Sequence, residues 1–566
     1  MSMSRFAIYY DFETMQISCP EDNNRRRHVP IAVAAIRICN SNRTYNSSLH
    51  HRVGLDCVER FLDWLDTQRQ EIQIINATEN QPLKMTREDW FRFHRQTSCE
   101  MCGQAFTELN SPYKDHCHLS GKFRFALCKR CNLTYGSEKT TASVPCFAHG
   151  GVRFDQHLLI KAIARRNKKR GKSPPRILPR NTEHYLAVFD GELVFQDSFE
   201  FMKASLTSIA DSMKNDKSTM SSEKDRNSIA FPLLWEYVQR NEERYQLMTR
   251  KGVFCYDFLD EIEKLKLDAL PPRDQFYDSL HQIDITMADY EHAKHVWRAM
   301  SCETLKDYLL VYLITDVLLL ASCFEQFRNL SMQYFQMDTG KFLTLPHFAY
   351  HAMLKYTQVQ LEILTDLEMV HWIKRGIRGG VASVMLRHAE ANLPEMGPNY
   401  NPELPRQEIV PLDCTNLYGH ALSKQLPEKS YRWLTRQEIK QLKISEVPDD
   451  AKIGYILSVD LSYPPELHES HTMYPLAPHK TAIPPAQWSD YTYELGLKLN
   501  DPSFFKTGPE KLVPDLTEKR DYVVHYQNLK YYLKCGMRLL RVRRVLAFEQ
   551  KCWMRDFVNF ITHKRS

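Results

Sequence analysis

Apolar residues first crowd into short unbroken runs and then spread into helical periodicity. Phe6-Ala7-Ile8-Tyr9-Tyr10 reads as a buried strand ending at Asp11, with Ile31-Ala32-Val33-Ala34-Ala35-Ile36 as its neighbour. From 145 to 345 a helical period dominates, for example from Tyr308 to Phe327, and Gln156-His157-Leu158-Leu159-Ile160 opens one such run. Polar stretches at Asn167–Arg180 and Asp211–Asn227 interrupt it. A second α/β segment opens near 375 with Arg375-Gly376-Ile377-Arg378-Gly379-Gly380, and an apolar strand, Ile409-Val410-Pro411-Leu412, leads into Asp413. Proline recurs through 394–514, which predicts loops and short elements, and the last fifty residues read as aromatic and basic helix. No internal repeat is visible.

A chain of 566 residues is too long for one core, so two to four domains are expected. Its 43% apolar, 25% charged and 11% aromatic content is that of a globular protein rather than a disordered one. There is no run of eighteen apolar residues, and Met1-Ser2-Met3-Ser4-Arg5 lacks the apolar core of a signal peptide. An intracellular protein without a membrane partner is expected, its 15 cysteines free or on metal. A net charge of +6 leaves phosphate attraction to local patches.

Asp11 and Glu13 stand two apart on a predicted strand and so leave it on one face. Asp155 begins a helix-like run, and Asp316 lies one helical turn beyond Tyr312. Two Mg²⁺ ions about 3.5–4 Å apart need roughly four carboxylates, and a tyrosine can orient the attacking water. Asp11-Phe12-Glu13-Thr14, Phe154-Asp155 and Tyr312-Leu313-Ile314-Thr315-Asp316, in that order, resemble the proofreading 3′→5′ exonuclease of family B DNA polymerases. The resemblance implies an α/β, RNase H-like domain. Gly150 stands where that family usually has an asparagine that helps to hold single-stranded substrate.

Cys99-x2-Cys102 and Cys128-x2-Cys131 have the spacing of two knuckles closing one tetrahedral Zn²⁺ site. Between them lies Asp115-His116-Cys117-His118, and Asn132 follows the last cysteine. The stretch resembles the recombination endonuclease VII type of HNH module. That resemblance implies Asp115 and Asn132 on a catalytic Mg²⁺ with His116 as general base. The plainer reading is a zinc-stiffened, DNA-contacting insertion, and it is preferred.

Asp413-Cys414-Thr415-Asn416-Leu417-Tyr418-Gly419 places an aspartate at a turn whose following amides can cradle a triphosphate. An aspartate merely opening a helix is the plain alternative. The stretch is similar to motif A of protein-primed family B polymerases, in particular those of Polinton/Maverick-type transposons and linear plasmids. Lys251-Gly252-Val253-Phe254, Asp289-Tyr290-Glu291-His292-Ala293, Thr315–Leu320 and Ala391-Asn392 fit as well, as does the tail from Tyr522-Val523-Val524-His525-Tyr526 to Phe548-Glu549-Gln550. By resemblance, Asp413 holds metal, Asn416, Leu417 and Tyr418 meet the deoxynucleoside triphosphate, and Arg378, Gly379 and Gly380 grip template. The implied partners are template and primer DNA, a single-stranded 3′ end and a terminal protein, the last meeting an insertion at about 428–545. Neither a Tyr-x-Asp-Thr-Asp strand nor a Lys-x3-Asn-Ser-x-Tyr-Gly helix occurs, so a chain cut before its second palm carboxylate is expected.

The expected organisation is an exonuclease domain in two parts, 1–84 and 141–345, interrupted by the zinc module at 85–140. A partial palm at 346–566 follows. The run Arg165-Arg166-Asn167-Lys168-Lys169-Arg170-Gly171-Lys172 fits a phosphate track, a nuclear address or a solvated loop. Arg538, Arg541, Arg543 and Arg544 near Tyr531 and Tyr532 fit a nucleic-acid groove. Two further functions stay open: a structure-directed endonuclease using Asp115, His116 and Asn132, and a catalytically dead DNA-binding remnant of a mobile element. In a eukaryotic host the nucleus is the expected location.

Overall fold

The computed structural model describes residues 3–19, 22–79, 81–117, 121–133, 143–215, 229–386, 388–499, 501–506 and 508–565. The chain divides into two compact units, Met1–Ala352 and Met353–Ser566. His118 of the Asp-His-Cys-His stretch and most of the polar interruption at 211–227 lie outside the described residues.

The first unit is built on a seven-stranded sheet in the order β3-β2-β1-β6-β9-β8-β7. Its strands are β1 (Phe6–Cys19), β2 (Asp22–Cys39), β3 (His50–Val53), β6 (Val144–Ala148), β7 (Arg176–Pro179), β8 (Tyr185–Asp190) and β9 (Leu193–Asp197). The first three form an antiparallel meander, while β6 runs parallel to β1 and β9 parallel to β6. Strands and covering helices make this an α/β domain, the class implied by the sequence resemblance. Phe6, Ile8, Tyr10 and Phe12 of β1 enter a core with the helices Cys57–Thr78 and Asp155–Lys169. The alternate residues face the other way, and Tyr9 meets Phe324 of the helix Leu305–Phe335 at 6.4 Å. This face carries Asp11 and Glu13 towards the helix that carries Asp316.

The helix Leu305–Phe335 starts at a Thr304/Asp307 capping box and is apolar on nearly every side. By length and composition it could cross a membrane, but 89% of its most apolar window is buried inside this unit. A helix apolar all round is a core helix when it is surrounded. The buried Arg328 near its end donates from Nε and Nη2 to Asp338 at 2.9 Å each, and from Nη2 to the Ser4 carbonyl at 3.0 Å. One guanidinium thus ties the N-terminus, the helix and the turn after it.

The zinc module holds the helix Arg87–Arg95 and the hairpin β4 (Tyr113–His116) and β5 (Phe123–Leu127). The second unit contains the four-stranded sheet β10-β15-β11-β14. These strands are β10 (Leu426–Trp433), β11 (Ile453–Ser462), β14 (Lys519–His525) and β15 (Arg538–Lys551), and a hairpin of β12 (His479–Thr481) and β13 (Lys511–Val513) is separate.

Three expectations need correction. Four sheet strands, β6 to β9, fall inside the stretch read as helical, and β7 lies within the polar interruption 167–180. The tail has helices at Tyr526–Lys534 and Arg555–Arg565, but β15 is a 14-residue strand. Ladder partners on both sides, β10 and β11, fix it as strand. Ile409–Leu412 is not a strand: among the described residues nothing pairs with it, and Leu412 is 91% exposed.

Arg328→Ala leaves Asp338 buried without its cation, and should destabilise the first unit by about 3–5 kcal/mol in urea unfolding. A loss below about 1 kcal/mol contradicts the tie.

Candidate active site

Five side chains named from the sequence meet in the first unit. β1 supplies Asp11 and Glu13, the helix Asp155–Lys169 begins with Asp155, and the helix Leu305–Phe335 supplies Tyr312 and Asp316. Glu13, Asp155 and Asp316 are buried, and Asp11 is half-buried. Burial pushes the Asp11 carboxyl well up, and the charges of Asp155, Glu13 and Asp316 add to that. Burial likewise raises Glu13 to about 8, with Asp316 and Asp155 also pushing up, and Asp155 to about 7, with Asp197 adding. Asp316 is raised too, by burial, and Lys251 draws it back. Four acids so placed repel one another and hold protons that water would take.

One side chain offsets them. Lys251 Nζ lies 2.7 Å from Asp316 Oδ2 and 5.4 Å from the centre of the Tyr312 ring. Burial alone lowers Lys251, but Tyr312, Asp316 and Asp11 hold it charged. Asp155 Oδ1 and Asp316 Oδ1 are buried and have no hydrogen-bond partner among the described residues. Unpaired buried carboxylate oxygens beside one amine suit divalent cations. The Tyr256 hydroxyl sits 3.2 Å from Glu13 Oε1 and 3.0 Å from the Tyr312 hydroxyl.

Lys251, Tyr256 and Asp197 have places here that sequence reasoning did not assign. Lys251 stood in a stretch recognised by resemblance but was given no role. Asp197 ends β9 and accepts from the backbone N–H groups of Gly150 (2.8 Å), Val152 (3.0 Å) and Phe199 (2.8 Å). It fixes the loop that delivers Asp155. Gly150 has φ +94°, a conformation that glycine adopts at little cost. The loop therefore depends on Asp197 and a glycine turn where the resembling family has asparagine.

The four zinc-module sulfurs lie within 4.8 Å of one another, with Cys102 Sγ and Cys128 Sγ 3.9 Å apart. Tetrahedral Zn–S bonds of about 2.3 Å imply S···S of ~3.8 Å, so the cluster fits structural zinc. Burial pushes Cys99 up, but backbone N–H groups of Cys128, Cys102 and Met101 outweigh it and bring the thiol down to about 6. Asp115, His116 and Asn132 stand on a hairpin-then-helix arrangement, residues 129–133 being helical. The Asp115 carboxylate already faces Arg124, whose Nη2 is 3.0 Å from Oδ1 and whose Nε is 2.9 Å from Oδ2.

In the second unit Asp413 and Tyr418 are exposed, Tyr418 by 86%. Asn416, at φ +54°, opens the helix Leu417–Leu422, and a Cβ at Gly419 would come within 2.4 Å of the Asn416 side chain. Arg378 donates to the Val523 carbonyl at 2.7 Å and lies 3.9 Å from the centre of the Tyr522 ring, while Gly379 and Gly380 are exposed. Of the basic runs, Arg166 pairs with Asp63 and Asp66, Arg538 with Glu466, Arg543 with Asp460 and Arg544 with Glu368. Much of that charge is answered within the chain. A cavity of about 860 Å³ lies among Arg69, Asn167, Arg170 and Asp190, away from the carboxylate site.

The family described as DNA polymerase type B, organellar and viral, matches residues 146–566. The chain belongs to this family. Recombination endonuclease VII matches residues 76–149 of this polymerase-family chain. Among solved structures, Phi29 DNA polymerase complexed with primer-template DNA is similar at 11% identity and a TM-score of 0.42, over 99% of this chain and 64% of that one. Its orthorhombic crystal form gives 10% and 0.41 over 99% and 64%, and its complex with single-stranded DNA 11% and 0.41 over 99% and 63%. This chain therefore spans less than two thirds of those chains' length. No curated protein matches it.

Burial raises Glu13 to about 8 and Asp155 to about 7, and a divalent ion needs their protons released, so Mn²⁺ affinity should rise steadily between about pH 6 and pH 9. Calorimetric titration reads this, and a flat profile contradicts it. Because folding raises these pKa values, the metal-free protein should lose stability as pH rises through the same range. Asp11→Asn removes one like charge. It should stabilise the metal-free protein by on the order of 1–2 kcal/mol at pH 8 while weakening Mn²⁺ binding.

Proposed function

We propose that the chain is the exonuclease-bearing part of a protein-primed DNA polymerase and removes nucleotides from single-stranded 3′ ends. Asp11, Glu13, Asp155 and Asp316 hold two Mg²⁺ ions. The observation that carries this reading is the cluster of four carboxylates with two buried, unpaired oxygens, on Asp155 and Asp316. When bound, the ions supply an activated water and neutralise the phosphoryl oxygens. Tyr312 would orient an attacking water, its hydroxyl and the Glu13 carboxylate both held by Tyr256. Lys251, 2.7 Å from Asp316, draws that carboxyl back towards its ionised form and adds positive charge to the site.

Asp413 is one ligand of the polymerase metals, Asn416, Leu417 and Tyr418 meet the incoming deoxynucleoside triphosphate, and Arg378, Gly379 and Gly380 meet the template. A terminal protein is the primer partner, and zinc stiffens the module at 85–140. In a eukaryotic host the protein works in the nucleus. The endonuclease reading draws on the match over 76–149 and on the hairpin-then-helix arrangement. Against it, Arg124 takes up the Asp115 carboxylate.

With Mg²⁺ and a labelled primer, the purified protein should shorten 3′ ends and lose about a hundredfold or more of that rate in Asp316→Ala. Shortening unchanged in Asp316→Ala contradicts the assignment. Nicks in supercoiled DNA that vanish in His116→Ala but persist in Asp11→Ala point instead to the endonuclease.

A further inference from the structure

The zinc module carries a face that neither reading uses. The helix Arg87–Arg95 starts at a capping box in which Thr86 Oγ1 accepts from the Asp89 N–H at 3.1 Å and the Thr86 N–H donates to Asp89 Oδ2 at 2.9 Å. Phe93 turns inward against Phe123 and Ala126. Arg87, Trp90, Phe91, His94 and Arg95 are thereby left outward, with Trp90 43% and Phe91 58% exposed. Lys114 from β4 sets its Nζ 4.0 Å from the centre of the Trp90 ring, and His94 stacks on that ring at 5.6 Å and 15°. Arg87 lies 5.9 Å from the centre of the Phe91 ring. The indole is held in one orientation yet left open to solvent, which a side chain needed only for the core has no reason to be.

Charge points the same way. Residues 85–140 hold nine lysines and arginines against six acids, so this small module carries half of the excess of a chain whose net charge is only +6. Arg87, Arg95 and Lys114 have no ion-pair partner among the described residues, and the helix's two acids, Glu88 and Asp89, sit in its first turn, where Asp89 caps it. Elsewhere in the basic runs Arg166, Arg170, Arg538, Arg543 and Arg544 are paired with acids of the chain.

We propose that this face is a stacking platform for unpaired DNA. Phe91 takes a base on a ring face, Trp90 takes one in place of the Lys114 amine that now covers it, and Arg87, Arg95 and the displaced Lys114 meet the phosphates. Any base offers a ring face, so the platform takes single strands without regard to sequence, whereas duplex bases are already stacked. The module thereby holds strand rather than cutting it, in keeping with the Asp115–Arg124 pair. This deepens the reading that the chain works on DNA and rests on it.

The test uses the full chain carrying Asp316→Asn to stop degradation, with oligothymidylate containing 5-iododeoxyuridine. Irradiation should crosslink Trp90 or Phe91. Anisotropy should show about tenfold weaker single-strand binding in Trp90→Ala, near-parent binding in Trp90→Phe, and unchanged duplex binding, all at equal zinc content. Crosslinks confined to other parts of the chain, or Trp90→Phe binding as weakly as Trp90→Ala, overturn the platform. Failure of the exonuclease reading shows differently: the unsubstituted chain would not shorten 3′ ends, while the crosslinks would remain.

Discussion

Four carboxylates packed out of water beside a single lysine make the demand that the first unit is arranged to meet. Burial and mutual repulsion raise Asp11, Glu13, Asp155 and Asp316 together, and Lys251 answers only part of that charge. Such a cluster is unfavourable by itself and becomes favourable once divalent cations enter. The surrounding structure holds the acids together against that repulsion. β1 is buried on both faces, so its register cannot slip without moving Phe6, Ile8, Tyr10 and Phe12 out of their core. The helix Leu305–Phe335 is buried along most of its length, and Arg328 anchors its end to Asp338 and to the Ser4 carbonyl. Asp197 completes the frame by holding the backbone ahead of Asp155.

Much of this was readable in advance, for physical reasons. The two-residue spacing of Asp11 and Glu13 in an apolar run fixes a strand with both acids on one face. The four-residue spacing of Tyr312 and Asp316 fixes one face of a helix. The paired cysteines announce their cluster, because sulfur at that spacing has few other uses. Lys251, Tyr256 and Asp197 were not legible in this way. They come from loops and a strand end, and only the tertiary arrangement brings them to the acids. Gly150 was visible as a departure, but its positive φ and its bond to Asp197 are not written in local sequence.

The misread segments share another cause. β6 and β9 are short buried strands, β8 is half-buried and β7 is an exposed edge strand, and runs so short carry no period that separates strand from helix. Arg538–Lys551 looked like a basic helix because its arginines suggest a solvated surface. Several instead pair with acids such as Asp460 and Glu368, and the ladders to β10 and β11 decide its form. Ile409–Leu412 has strand-like residues but no strand beside it among the described residues, and a lone strand has nowhere to place its backbone hydrogen bonds.

The proposed role of the carboxylate cluster is to hold two divalent ions. Anomalous diffraction from crystals of the protein equilibrated with Mn²⁺ tests it most directly. The account predicts two peaks about 3.5–4 Å apart, in contact with Asp155 Oδ1 and Asp316 Oδ1. A cluster without any peak, with the Lys251 amine still 2.7 Å from Asp316, would contradict it.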